Sequence, residues 1–193
     1  MLISFQKPYV TKLERVEKKG NSKMDKQKGA IVCIAVPSLK LYEKLKDAKS
    51  VLDSFGVESD ICIVAAHWAP KKTLRFITEI ESRGYDVIIA AADGSAHLPG
   101  MIASLTNVPV IGVPLSDDKL DGMDSLLSIV QMPRGVPVGT MAINSGINAG
   151  VFACQILALK YPSLLDKLAR HKQSMEDTVE SEDAHVKKSI PNK

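Results

Sequence analysis

The sequence predicts an α/β fold, a three-layer sandwich with a five-stranded parallel sheet between two layers of helix. Five short runs rich in Val, Ile and Ala recur, at Ala30–Val36, Asp60–Ala65, Asp86–Ala92, Val108–Val113 and Val136–Ile143. Most are continuously apolar rather than alternating, as strands covered on both faces must be. Stretches of helical period separate them, and strands joined in this way need crossover connections, hence a parallel sheet.

The elements follow in order. Residues 1–29 show no clean period and are rich in lysine, so they read as a basic, flexible extension or a segment packed on a partner. Residues 30–161 form the α/β domain, of flavodoxin/Rossmann-like type. After the first strand, Leu41, Leu45, Ala48, Leu52 and Phe55 keep one face of a helix, and Gly56 ends it. Lys72–Arg83 is a second helix, closed by Gly84. Leu98–Leu105, Gly122–Ile129 and Asn148–Leu159 supply three more. Residues 162–193 read as a charged helix over Pro162–Val179 followed by a tail.

Composition narrows the function classes. A chain of 193 residues with 45% hydrophobic and 24% charged residues is an ordinary single globular domain. No apolar run reaches the ~18 residues of a spanning helix, so no membrane partner is expected. The net charge of +3 is uneven: residues 1–29 carry eight Lys/Arg against three Asp/Glu, which leaves the rest slightly acidic. Nucleic-acid binding therefore has little electrostatic support, and 5% aromatics offer few stacking surfaces. Cys33, Cys62 and Cys154 each sit in an apolar run and read as buried small hydrophobes of a reducing compartment. Met1-Leu2-Ile3 is too short for a signal-peptide core, so the cytoplasm is the expected location.

In doubly covered parallel sheets, ligands bind beyond the carboxyl ends of the strands. The segments there are Pro37-Ser38, Ala66-His67-Trp68, Asp93-Gly94-Ser95-Ala96-His97, Pro114-Leu115-Ser116 and Asn144-Ser145-Gly146. Two of the four histidines fall in this layer. His67, directly after the second strand, can exchange a proton near neutral pH. Asp93 to Pro99, with Leu98 between, joins small residues to a helix start, where backbone N–H groups can approach an anion. It lacks the lysine of a Walker loop and the triple glycine of a dinucleotide site. No serine–histidine–acid order and no histidine pair of metal-ligand spacing occurs, so neither triad hydrolysis nor a metal is expected.

Ala92–Met101, Val108–Pro114 and above all Asp124-Ser125-Leu126-Leu127-Ser128-Ile129-Val130-Gln131-Met132-Pro133-Arg134-Gly135 closely resemble the phosphoribosylaminoimidazole carboxylase catalytic subunit family, more narrowly its carboxyaminoimidazole ribonucleotide mutases. The resemblance runs from about Ala30 to Leu159. It implies a cofactor-free carboxylate transfer in purine biosynthesis on a small-molecule substrate, in a homo-octamer often joined through a C-terminal helix. It also implies that His67 is the catalytic proton shuttle, and that Ser38, Trp68, Asp93, Gly94, Ser95, His97, Leu98 and Pro99 occupy substrate-binding positions.

Several of those positions depart from the family pattern. The first loop, Gly-Ser-x-Ser-Asp in the family, reads Ala35-Val36-Pro37-Ser38-Leu39, so the carboxylate that holds ribose hydroxyls is replaced by Leu39. The phosphate-binding arginine after the histidine is Trp68, which reads as an aromatic plug or as a stacking surface. Asp93 stands where a glycine approaches the ligand. A charge-assisted hydrogen bond to phosphate contributes ~1.5–3 kcal/mol, so these losses together cost a factor of about 10³ in nucleotide binding unless compensated. Lys71, Lys72 and Arg75 are candidates for replacing the arginine, and Asp93 for the ribose contact. The alternatives to the family reaction are a paralogue that carboxylates, decarboxylates or isomerises another small molecule, and a silent binding or assembly subunit.

Overall fold

A computed structural model of the chain describes residues 29–117 and 120–190. Residues 1–28 of the expected extension and the last three residues of the expected tail lie outside the described residues. Five parallel strands, β1 (Ile31–Val36), β2 (Glu58–Ile63), β3 (Val87–Asp93), β4 (Val110–Leu115) and β5 (Gly139–Thr140), form one sheet in the order β2-β1-β3-β4-β5. The helices are α1 (Leu39–Tyr42), α2 (Lys46–Ser54), α3 (Pro70–Arg83), α4 (His97–Leu105), α5 (Met123–Val130), α6 (Gly146–Ala158) and α7 (Leu165–Ser189).

Alternation along β1 divides the core. Val32, Ile34 and Val36 pack with Leu45 just before α2, with Ala48 and Leu52 on the inward face of α2, and with Ala149, Ala153 and Leu157 of α6. Ile31, Cys33 and Ala35 pack on the other side with Phe76, Ile77 and Ile80 of α3 and Leu98 and Ile102 of α4. Both faces of β1, β3 and β4 are thereby covered, which is why these strands read as unbroken apolar runs. β2 lies at the sheet edge, and Ile61 and Ile63 remain 39% exposed. Where α2 meets α6, a Cβ on Gly150 would stand 2.9 Å from Val51 Cβ and 3.0 Å from the Ala48 carbonyl oxygen, so only glycine permits this approach.

At the amino end of β3, Asp86 accepts hydrogen bonds from Lys160 Nζ (2.7 Å), the Tyr161 hydroxyl (3.0 Å) and the Ile31 backbone N–H (3.4 Å). That clamp ties the end of α6 to the starts of β1 and β3, at the end of the sheet opposite the ligand crevice.

Three expectations change. The helix expected over Leu41–Phe55 is two helices, with a turn at Glu43–Leu45. The turn lets Lys44 donate to the Ser116 backbone oxygen at the end of β4 while Leu45 points into the core. The run Val136–Ile143 gives only two strand residues, because Pro137 has no N–H to donate to a ladder. The terminal helix does not stop at Val179. α7 continues to Ser189, and exposed (i, i+4) contacts such as Lys187–Asp183 (2.6 Å) and Gln173–Asp177 (3.0 Å) support it.

Candidate functional site

The chain passes from β1 outward to β2 and then returns to place β3 on the other side of β1. The carboxyl ends of β1 and β3 therefore feed loops that part in opposite directions, opening a crevice at the switch point. A cavity of about 320 Å³ lies there. Ser38, His67, Trp68, Asp93, Ser95, His97 and Leu98 all line it, with alanines 65, 66, 91 and 92 supplying small apolar walls. Of the positions expected to meet substrate, Gly94 and Pro99 do not line the cavity. Gly94 forms the turn behind it, at φ +68°, and Pro99 is buried in α4.

Each side chain is held by local structure. Ser38 caps α1, its Oγ accepting the Leu41 N–H at 3.3 Å. His67 sits in the turn between β2 and α3, which the Ala69 N–H closes on the Ala65 oxygen at 2.9 Å. His97 is the first residue of α4. The two imidazoles meet edge to face, with ring centroids 4.4 Å apart and planes at 79°. Two histidines placed by separate loops thus share one wall of the cavity.

Trp68 is 92% exposed. It stands at the rim with its ring in solvent, so within this chain it does not plug the space an arginine would have served. Apart from the histidines, the one charged side chain in the lining is Asp93. Lys71, Lys72 and Arg75 are exposed on the first turns of α3 and are not part of the lining. α3 begins with Pro70 and has no side-chain cap, which leaves backbone N–H groups of its first turn open toward solvent.

Two residues that carried no role in the sequence reading belong to the site's support. Ser125, fully buried, accepts the Gly94 N–H at 2.7 Å and donates to the Leu115 carbonyl oxygen at 3.2 Å. Ser128 accepts the Ala96 N–H at 2.8 Å. The N–H groups of Gly94 and Ala96 are therefore turned toward α5 and away from an anion in the cavity. The signal was present as a serine pair three residues apart in a helix that is otherwise apolar after Asp124, a spacing that places both on one face.

Comparison with known proteins agrees with this architecture. The crystal structure of Treponema denticola PurE2-S38D superposes with a TM-score of 0.76 at 23% identity, covering 83% of this chain and 99% of that one, which establishes the shared fold. The N5-carboxyaminoimidazole ribonucleotide mutase of Thermotoga maritima is 50% identical over 135 residues, 70% of this chain and 79% of the relative. That of Saccharolobus solfataricus is 46% identical over 148 residues, 77% of this chain and 94% of the relative. The family described as AIR carboxylase matches residues 31–178, from the first strand into the long terminal helix. A match of that extent, with relatives about half identical over most of their length, means that the chain belongs to the AIR carboxylase family.

Proposed function

We propose that this chain moves a carboxylate from the exocyclic amine of an aminoimidazole ribonucleotide to a carbon of its ring, a step of purine biosynthesis. The observation that carries the reading is the pairing of His67 with His97 on the wall of a small cavity lined by alanines at the switch-point crevice. Relatives about half identical to this chain are named for that mutase activity.

The chemistry needs little from the protein. The N–C bond of the carbamate breaks, releasing carbon dioxide and leaving the free amine. The electron-rich ring carbon attacks the carbon dioxide before it escapes, forming the new C–C bond. His67 gives its proton to the departing amine nitrogen as the carbamate breaks and then takes the proton from that ring carbon, which restores the aromatic ring and its own starting state. Holding carbon dioxide against the ring is the larger part of the acceleration, and it requires that the bound substrate, seated on the alanine walls, displace the water there. Ser38, Ser95 and Asp93 offer hydrogen-bonding groups for the sugar, Leu98 packs against it, and Trp68 covers the ring from the rim. Lys71, Lys72 or Arg75, beside the uncapped start of α3, take the phosphate.

Assembly and location follow the same reading. α7 projects with no buried residue and leaves Leu165, Met175, Val179 and Val186 more than half exposed, which suits packing on other copies in a homo-octamer. Among the described residues no helix is long and apolar enough to cross a membrane. The cytoplasm is where a purine-forming enzyme of this kind would act.

Asp93 supports a second reading. A lining whose only fixed charge is negative disfavours a phosphate and suits a less anionic ligand, or a binding or assembly role without turnover. Incubating the purified protein with carboxyaminoimidazole ribonucleotide and following the reverse conversion by absorbance separates the two. Turnover well above a protein-free control supports the mutase, and a folded but silent protein supports the second reading.

A further inference from the structure

We propose that Ser125 and Ser128 are positioning residues for the reaction, because their hydroxyls set which side chains of the β3–α4 loop face the cavity and thereby hold His97 against His67. The inference rests on the reading that His67 moves the proton.

A serine inside a helix normally bonds back to a carbonyl one turn earlier. Ser125 instead spans two other elements, taking the Gly94 N–H and giving its own proton to the Leu115 oxygen at the end of β4. With no exposed surface, it has no water to fall back on. Ser128, on the same face, takes the Ala96 N–H. These two bonds hold alternate residues of the loop toward α5, and the residues left over, Ser95 and His97, are the ones that line the cavity, whereas Gly94 and Ala96 do not. The loop is locked further down by the His97 N–H, which donates to the Ser95 oxygen at 2.8 Å. Gly94, at φ +68°, supplies the reversal that makes the alternation possible. Removing either hydroxyl leaves a loop N–H without its partner, and the cheapest remedy is to rotate that peptide toward water, which carries His97 away from His67.

The experiment compares Ser125→Ala, Ser128→Ala, Ser128→Thr and Ile129→Val with the unaltered chain. Ile129 is buried on the same helix against Ala92 and Ala96, so trimming it loosens packing there without touching a hydroxyl. Two readouts are taken: steady-state kinetics with carboxyaminoimidazole ribonucleotide, and the nuclear Overhauser effect between the rings of His67 and His97 in protein labelled at histidine. Both alanine variants are expected to lower kcat by about 10- to 100-fold, to raise KM as well because Ser95 shares the loop, and to weaken the ring-to-ring signal. Ser128→Thr, which keeps the hydroxyl, and Ile129→Val are expected to keep both. An undiminished ring-to-ring signal in the alanine variants overturns the proposal. So does a fall in kcat that Ile129→Val reproduces at equal loss of stability, since the serines would then be only structural. If the unaltered protein shows no turnover, the mutase reading fails, and the proton-step role falls with it. The ring-to-ring signal still reports whether the serines hold the two histidines together.

Discussion

The imidazoles of His67 and His97 touch edge to face with centroids 4.4 Å apart, although one follows β2 and the other opens α4. Because the two loops come from strands on opposite sides of β1, the contact exists only when the sheet order β2-β1-β3 is formed. The pair therefore reports on the fold and on the site together.

His67→Asn keeps a polar side chain of similar size but cannot shuttle a proton. Turnover is expected to fall by about 10²- to 10⁴-fold, the usual contribution of a general acid–base group, while calorimetry shows ligand binding within about threefold of the parent. A variant that keeps the full rate removes His67 from the proton step.

Trp68→Arg returns a cation to the rim beside the first turn of α3. With Trp68 92% exposed, the exchange leaves the core untouched. Affinity for the ribonucleotide is expected to rise about tenfold or more, from a new charge-assisted contact of ~1.5–3 kcal/mol. Unchanged affinity would mean that Lys71, Lys72 or Arg75 already satisfies the phosphate, or that no phosphate is bound.

Thr73, fully buried on α3, has a hydroxyl with no hydrogen-bond partner. Thr73→Val replaces it with a methyl of nearly the same shape and is expected to raise stability by about 1 kcal/mol in chemical denaturation. Gly150→Ala acts in the opposite direction. Its new Cβ would press Val51 and the Ala48 carbonyl and force α2 from α6, at an expected cost of about 1–3 kcal/mol.

The three cysteines are expected to differ in reactivity. The neighbouring Cys33 thiol favours the Cys62 thiolate and lowers the Cys62 pKa to about 7. Cys33, beside Cys62 and buried, is pushed up. Burial raises Cys154 to about 11. A lowered pKa means that the thiolate is present at a lower pH than in a free cysteine. As pH rises from 6 to 8 (roughly the window below the ordinary thiol value), native protein should therefore lose Cys62 first to iodoacetamide, as read by peptide mass. Equal labelling of all three would contradict the lowered Cys62 value.

Much of this molecule is legible in its sequence, for physical reasons. Strands β1, β3 and β4 announce themselves because burial on both faces leaves them apolar, except for Asp93 where β3 emerges at its carboxyl end. The crevice can be placed without any motif, since the strand–helix alternation fixes which ends carry the loops. The break at Glu43–Leu45 was not legible, because it depends on Lys44 reaching Ser116, a partner far away in the chain. The stretch of α7 beyond Val179 was also hidden, since residues 180–189 are mainly polar and offer only Ala184 and Val186 to an apolar period. At the site, His67 and His97 could be named individually, but their contact could not. Ser125 and Ser128 stood in full view within the most distinctive stretch of the sequence, and only the loop folded against them gives them a task.

The most direct measurement is the rate at which the purified chain converts carboxyaminoimidazole ribonucleotide in the reverse direction, followed by absorbance and repeated with His67→Asn. The result expected is turnover at ordinary enzyme rates, on the order of 1–10³ per second, that collapses in the variant. A well-folded protein whose rate equals the protein-free control, or a rate indifferent to His67, would contradict carboxylate transfer at this crevice.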